Sequence, residues 1–233
     1  MNGARDEILG KIKASLDPLQ NKATRELAAE ERLANPPNHL VPARAQVDRN
    51  RRIELFQKMT DEVAATTIRI SSLDALPQTV TDYLTRHNLP CQIKTDGDPF
   101  LAKVDWTSQP TLEVKSGKAE DEDLISITVA SAGVAETGTN VLTSGPTGPT
   151  TLNFLPENHI IVLPISRLRG TYEETWEYLW MGKAENDKAL PRTVNWITGP
   201  SRTGDIEQTM QLGIHGPKRL HVVLVEEDGE EEG

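Results

Sequence analysis

The sequence has little cysteine and no long apolar run, and each absence excludes a class of protein. Cys91 is the only cysteine among 233 residues, which rules out an internal disulfide and a self-contained cysteine-ligated iron–sulfur cluster. No apolar stretch approaches the roughly 20 residues that a membrane-spanning helix needs. Residues 1–13 mix acids with bases and lack the apolar core of a signal peptide. We therefore expect a cytoplasmic protein with no membrane insertion, in which Cys91 is a buried core residue.

The sequence also lacks an excess of basic residues. Acidic residues outnumber basic ones by 35 to 25, giving a net charge of −10. Residues 226–233 hold six of the acidic residues and no lysine or arginine, so the rest of the chain has 29 acidic and 25 basic residues, a net charge of −4. A nearly neutral body gives no electrostatic basis for binding nucleic acid. We interpret residues 226–233 as a solvated acidic tail.

Common catalytic and nucleotide-binding signatures are missing as well. The chain contains no G-x-G-x-x-G, no G-x-x-x-x-G-K-[ST], no H-E-x-x-H and no G-x-S-x-G. Its five histidines are scattered along the sequence, so their spacing predicts no metal site. The sequence therefore predicts neither a bound metal nor an organic cofactor.

Three segments follow from the distribution of apolar residues. Residues 1–45 read as an N-terminal helical arm that ends in a proline-containing linker, because Pro36-Pro37 cannot continue a helix. Residues 46–225 form the body, and 226–233 the tail. The arm could cover its own domain or a second copy of the chain, so a homo-oligomer stays an open alternative.

Strand and helix patterns alternate through the body. Apolar and β-branched runs predict strands at Thr66–Ile70, Cys91–Lys94, Leu112–Lys115, Leu124–Ala130, Asn140–Thr143, His159–Pro164, Val194–Thr198 and Leu220–Val225. Helices are predicted after an Asp48 cap, after Pro77, at Tyr172–Met181 and at Asp205–Leu212. This alternation indicates an α/β fold with a Rossmann-like layered, mostly parallel sheet. The closely spaced strands within residues 124–143 suggest a hairpin that leaves that sheet.

One candidate site follows the predicted strand that ends at Ala130. Glu136 is a single carboxylate among small residues, flanked by Thr137, Gly138 and Thr139. Such a group suits a general base, a nucleophile or a substrate-orienting residue. The alternative is a tight turn whose glutamate faces water, and the sequence leaves both interpretations open. We take Glu136 as the candidate catalytic residue and its three neighbours as candidate ligand-binding residues.

A second candidate site follows the predicted strand Val194–Thr198. Gly199, Ser201, Arg202 and Thr203 precede the predicted helix, and free amides at a helix start favour anions. Arg202 would clamp a carboxylate or a phosphate. The alternative is a capped helix without a ligand.

The two candidate sites would form one cleft if both strands belong to the same parallel sheet. Ligands of open α/β sheets bind beyond the carboxyl ends of the strands. We therefore expect Glu136 and Arg202 to face a shared small-carboxylate ligand, or to form an ion pair with each other.

Three stretches of sequence carry a resemblance to a known family. AGVAETGT at 132–139, TLNFLPENHIIVLP at 151–164 and GPSRTGDIEQTMQLGIHGPKRLHVVLV at 199–225 resemble the LutC/YkgG family of LUD-domain proteins. The resemblance implies a fold similar to the NagB/RpiA/CoA-transferase group. It also implies iron–sulfur proteins of the same lactate utilisation system as partners, in the oxidation of L-lactate to pyruvate. With one cysteine, this chain would be the cluster-free member.

The resemblance names a pathway without fixing a reaction, so three functions stay open. The first is a non-redox component of the L-lactate utilisation system that binds a small carboxylate or another anion. The second is a stand-alone acyl- or CoA-transferase-like enzyme with Glu136 as nucleophile, by analogy with the wider fold group. The third is a structural scaffold for iron–sulfur subunits. Whether the chain is itself an enzyme is left open.

Overall fold

The computed structural model describes residues 3–15, 22–35, 40–181, 191–204 and 210–227. The chain divides into two units, residues 1–40 and 41–233. The first unit contains helices α1 (Gly3–Ser15) and α2 (Lys22–Ala34). Ala45, the last residue of the predicted N-terminal segment, is buried and belongs to the second unit. The proline linker at residues 36–39 lies outside the described residues.

The second unit contains the remaining helices and all strands of the described residues. The helices are α3 (Arg49–Glu62), α4 (Leu76–Arg86), α5 (Thr151–Phe154) and α6 (Tyr172–Met181). The strands are β1 (Thr66–Ile70), β2 (Gln92–Thr95), β3 (Glu113–Ser116), β4 (Ile125–Val129), β5 (Ala132–Val134), β6 (Thr139–Thr143), β7 (Asn158–Pro164), β8 (Leu168–Arg169), β9 (Val194–Ile197), β10 (Arg202–Thr203), β11 (Gln211–Leu212) and β12 (Arg219–Val225).

Six strands of the described chain form one parallel sheet in the order β1-β12-β7-β4-β2-β3. This confirms the predicted α/β class with a mostly parallel sheet. Strand β7 is buried along its whole length, and β12 from its second residue onward. Strands buried on both faces have nearly continuous apolar runs rather than an alternating pattern, and those runs made the central strands recognisable in the sequence.

Apolar side chains alternate between the two faces of this sheet. One face packs beneath α4, where Ile127, Ile160 and Val223 join the buried face of that helix. The other face packs against α3, where Ile161 and Leu224 join the residues of that helix. Helix α3 begins as predicted at Asp48, whose side chain accepts a hydrogen bond of 3.0 Å from the Arg51 amide.

A second sheet covers the α3 side. Its order is β8-β5-β6-β9, and β5 and β6 form the antiparallel hairpin that the sequence suggested. Residues on its outer face pack against α6, and Leu142 on its inner face joins the α3 side of the core. Strand β9 pairs antiparallel with β6. The assumption that Val194–Thr198 lies in the parallel sheet was therefore wrong.

Two further expectations differ from the structure. The predicted helix Asp205–Leu212 is wrong at its end, because Gln211–Leu212 pairs antiparallel with Arg202–Thr203 as a strand. Residues 205–209 lie outside the described residues. Cys91 is exposed rather than buried, since it precedes the first paired residue of β2.

The first two residues of the acidic tail, Glu226 and Glu227, contact the rest of the second unit. The Glu226 amide donates to the Ile70 carbonyl over 3.0 Å, and the Glu226 side chain forms an ion pair with Arg69. Glu227 accepts a hydrogen bond from the Ser166 hydroxyl. Residues 228–233 lie outside the described residues.

Candidate functional site

The carboxyl edge of the parallel sheet brings together polar residues from distant parts of the chain. Asp96 follows β2, Ser131 follows β4, residues 165–169 follow β7, and Glu226 and Glu227 follow β12. In open parallel sheets the ligand lies beyond this edge, where the helices and loops leave a crevice. A ligand of this protein is therefore expected at this edge.

Asp96 lies where the strand order reverses. From β2 the chain continues outward to β3, whereas from the neighbouring strand β4 it continues to β7 on the opposite side. Connections that leave in opposite directions open a crevice between the two strands. The Asp96 side chain is only 7% exposed and lines a cavity of about 210 Å³. Apolar residues, among them Leu101 and Trp106, form much of the rest of its wall.

The surroundings of Asp96 favour its protonated form. One carboxyl oxygen accepts a hydrogen bond of 3.1 Å from the Asp98 amide, and the other lies 3.5 Å from the Val129 amide nitrogen. These two amides favour the ionised form, but burial outweighs them and raises the pKa of Asp96 from 3.8 to about 6, and the nearby Asp98 carboxylate adds to the rise. A carboxyl group with this pKa exchanges its proton close to neutral pH.

Arg167 holds the adjacent part of the edge together. Its Nη1 donates to the Ala130 carbonyl over 2.9 Å, and its guanidinium lies 5.7 Å from the centre of the Phe100 ring. Asp98 caps the same segment by accepting a 2.7 Å bond from the Phe100 amide. These contacts tie the loops after β2, β4 and β7 to one another.

A group of positively charged side chains at this edge lines a cavity of about 320 Å³ between α3 and the segment that follows β7. Three arginines contribute to its wall: Arg49 and Arg52 from the first turn of α3, and Arg169 from β8. We call it the arginine cavity. Helix α3 begins at this point, and the partial positive charge of a helix start adds to that of the arginines.

Two of these arginines have hydrogen-bonding capacity left over. Arg52 Nε is buried without a partner among the described residues, and its Nη atoms reach the carbonyls of Leu168 and Val47 only at 3.5 and 3.4 Å. Arg49 is partly buried and pairs with no residue that the structure describes. Burying an unpaired cation is unfavourable, so a cavity of this kind favours an anionic ligand.

The rest of the wall of the arginine cavity consists of three apolar side chains and two side chains that carry oxygen atoms. Ile53, Ile165 and Leu168 supply the apolar part, and Ser166 and Glu227 supply the oxygens. The cavity therefore presents cationic, apolar and hydrogen-bond-accepting surfaces to one small volume.

Glu136, the candidate catalytic residue, contacts the start of α6. Its carboxyl group is 4% exposed and accepts a 3.0 Å hydrogen bond from the amide of Tyr172, the first residue of that helix. Its own amide donates to the Gly170 carbonyl over 3.0 Å. A carboxylate in this position complements the helix dipole, so its contacts are those of a helix cap.

The neighbours of Glu136 form a cluster of hydroxyl groups. Thr139 Oγ lies 2.7 Å from Thr137 Oγ, 3.1 Å from the Tyr172 hydroxyl and 2.5 Å from Thr198 Oγ. Gly138 has a φ of +67°, and a Cβ atom there would lie 2.7 Å from the Thr60 amide nitrogen. The turn therefore fits against the last turn of α3 only with glycine at this position.

The second predicted segment contacts the same end of α3. Gly199 has a φ of +82°, and a Cβ there would lie 2.9 Å from the Val63 carbonyl oxygen, to which Arg202 also donates. The Ser201 amide donates to the Pro217 carbonyl over 2.9 Å, and its hydroxyl accepts from the His215 amide over 3.2 Å. Thr203 is nearly buried beside β11.

The two predicted segments therefore meet, though for a different reason than expected. Thr139 and Thr198 join them within the antiparallel sheet, and both abut the end of α3. Glu136 and Arg202 do not form an ion pair, since each has a different partner among the described residues. Whether they bind a common ligand stays a prediction.

Sequence reasoning missed the arginine cavity because its wall is assembled from residues 49–53, 165–169 and 227. The hydrogen bond between Arg52 and Leu168 spans 116 residues. A local signal did exist, since two arginines at i and i+3 occupy one face at a helix start. The Asp96 turn was recognised only as a turn.

Within the described ranges, no three histidine, cysteine or acidic side chains lie close enough to hold a metal ion. In the same ranges no helix has the length and apolar character required to cross a membrane.

A protein-family model and several curated proteins match the sequence of this chain. The LUD domain family model matches residues 53–225. Lactate utilization protein C of Halalkalibacterium halodurans is 38% identical over 110 residues, 47% of each chain. The Exiguobacterium protein of the same name is 36% identical over 122 residues, 52% of each chain. The Bacillus subtilis protein is 30% identical over 133 residues, 54% of this chain and 55% of its own. These matches span about half the length of the curated relatives.

A solved structure shares the fold. A DUF162 family protein from Deinococcus radiodurans superposes with a TM-score of 0.57 and 19% identity, covering 77% of this chain and 99% of that one. At this identity the likeness concerns the fold alone. The family match includes every strand from β1 to β12, and we conclude that the chain belongs to the LUD domain family.

Proposed function

We propose that this protein is a cluster-free component of a bacterial L-lactate utilisation system and that it binds a small carboxylate in the arginine cavity. Its relatives are named for lactate utilisation, and its single cysteine cannot ligate an iron–sulfur cluster. We assign the electron-carrying clusters of lactate oxidation to partner iron–sulfur proteins.

The arginine cavity is the observation that carries the binding proposal. Arg49 and the buried Nε of Arg52 have no partners among the described residues, and a carboxylate would supply them. Guanidinium groups bind carboxylates through paired, charge-assisted hydrogen bonds. At about 320 Å³ the cavity is near the lower limit for small-molecule sites, which suits a ligand the size of lactate or pyruvate.

The segments around Glu136 and Arg202 remain a second proposed site. The enzyme hypothesis, in which Glu136 acts as a nucleophile in acyl or CoA transfer, requires its carboxylate to reach a substrate. Its low exposure and its bond to the Tyr172 amide instead favour a positioning role. The arginine cavity is therefore the better-supported location for the carboxylate.

Growth of a strain that lacks this gene tests the proposal. The wild-type gene should restore growth on L-lactate as sole carbon source, whereas Arg49→Gln should restore it poorly. Growth on pyruvate should not depend on the gene. Arg51→Gln is the matched control, because Arg51 lies on the same helix with its side chain in solvent.

Normal growth of the gene-deleted strain on lactate, with no second copy of the gene present, would contradict the pathway assignment. Equal rescue by Arg49→Gln and wild type, at equal protein levels, would contradict the role of the cavity.

A further inference from the structure

Glu227 is an unexpected residue in the wall of a cavity that favours anions. It follows β12 directly, and Ser166 follows the neighbouring strand β7, so the parallel register brings the two side chains together. The Ser166 hydroxyl donates to the Glu227 carboxylate. Among the described residues, Glu227 pairs with neither Arg49 nor Arg52, so its negative charge faces the same cavity as their positive charges.

A carboxylate in this position opposes the binding of a simple carboxylic acid. Like charges brought together at a binding site lower affinity. The Glu227 oxygens instead favour a ligand that carries a hydrogen-bond donor in addition to its own carboxylate. A charged acceptor forms a stronger hydrogen bond than a neutral one.

On the basis of the proposed function, we infer that the arginine cavity selects 2-hydroxy acids over 2-oxo acids, with Glu227 as the specificity-determining residue. The ligand carboxylate pairs with Arg49 and Arg52, and the 2-hydroxyl donates to Glu227.

The apolar part of the cavity wall would contact the alkyl group of the ligand. Ile53, Ile165 and Leu168 contact a short alkyl group such as the methyl of lactate. A 2-oxo acid has no proton on its second oxygen, so its carbonyl would meet the Glu227 carboxylate with lone pair against lone pair. A site built to accept a hydrogen bond rejects an analogue that cannot donate one.

Calorimetric titration with L-lactate, pyruvate and propionate tests this selection. Wild type should bind L-lactate at least about fivefold more tightly than pyruvate, a difference smaller than that of a buried charged hydrogen bond because Glu227 is exposed. In Glu227→Gln the ratio of the two affinities should fall towards one, since an amide both donates and accepts. Glu226→Gln removes the adjacent carboxylate, which pairs with Arg69 outside the cavity, and should leave the ratio unchanged.

Propionate, which has neither a 2-hydroxyl nor a 2-oxo group, distinguishes recognition of the hydroxyl group from repulsion of anions by Glu227. If Glu227 only repels anions, Glu227→Gln should tighten all three ligands by the same factor and preserve the lactate-to-pyruvate ratio, which would overturn the inference. Equal binding of lactate and pyruvate by wild type would overturn it too, while leaving the proposed cavity intact. Failure of all three ligands to bind wild type would instead contradict the proposed function.

Discussion

Asp96 and Asp105 adopt the same local turn geometry but differ in burial. Asp96 and Asp105 each accept a hydrogen bond of 3.1 Å from the amide two residues later. Asp105 is exposed, whereas Asp96 is enclosed at the edge of the sheet. At Asp96, burial raises the pKa to about 6. Sites that hold a carboxyl group against its preferred ionisation commonly do so for function, at the expense of stability.

Asp96→Asn should therefore stabilise the protein in a pH-dependent way. Because the folded-state pKa lies above the unfolded value of 3.8, ionisation of Asp96 destabilises the fold as pH rises from 4 to 7, and below 3.8 this cost is absent. Asparagine does not ionise, so the variant should be about 2 kcal/mol more stable at pH 8 and nearly unchanged at pH 4. This corresponds to a rise in melting temperature of roughly 4–8 °C at pH 8.

Thermal unfolding followed by circular dichroism at both pH values measures this effect, with Asp105→Asn as control. A variant that is destabilised equally at both pH values would show that ionisation of Asp96 does not destabilise the fold, which would contradict the raised pKa.

At the scale of secondary-structure elements, helix ends organise the second sheet. The start of α6 is fixed by Glu136, and the end of α3 is enclosed by Gly138, Gly199 and Arg202. The residues that stood out in the sequence are thus those that join helix ends to the antiparallel sheet. Small residues and a lone carboxylate at a strand end suit such junctions as well as they suit a ligand.

If Glu136 is a helix cap, its acceptor oxygen matters more than its charge. Glu136→Ala should lower the free energy of unfolding by about 1–3 kcal/mol, because the buried Tyr172 amide loses its partner. Glu136→Gln keeps an acceptor oxygen and should lower it by about half as much or less. Chemical denaturation of the two variants measures the difference. Unchanged stability in Glu136→Ala would contradict the capping role.

These contacts also show which features the sequence could predict. Central strands such as His159–Pro164 were predictable because burial on both faces produces apolar runs. The partner of a strand was not, since β9 has the same local pattern whether it joins the parallel or the antiparallel sheet. A helix was predicted up to Leu212 because Thr203-Gly204-Asp205 resembles a helix start. Strand pairing of Gln211–Leu212 with Arg202–Thr203 overrides this local signal at the end of the segment.

At the scale of the whole molecule, the parallel sheet determines where chemistry is available. Its carboxyl edge holds the ion pair of Arg69 with Glu226, then the arginine cavity, then Arg167, then Asp96. These groups come from the ends of β1, β12, β7 and β2 and from the start of α3, and the packing of that helix on the sheet brings them to one edge. Sequence analysis could predict the sheet and its edge, but not which distant residues would share it.

Binding of L-lactate to single-site variants, measured by calorimetry, tests most directly whether the arginine cavity is the ligand site. Arg49→Gln breaks no hydrogen bond or ion pair among the described residues, so its effect on binding reports the ligand rather than the fold. The assignment of the ligand to the arginine cavity predicts that Arg49→Gln weakens lactate binding about tenfold or more, whereas Arg202→Gln and Glu136→Gln bind lactate within about twofold of wild type. Loss of binding in Arg202→Gln or Glu136→Gln, with Arg49→Gln unaffected, would contradict it and place the ligand at the junction of the two sequence-predicted segments.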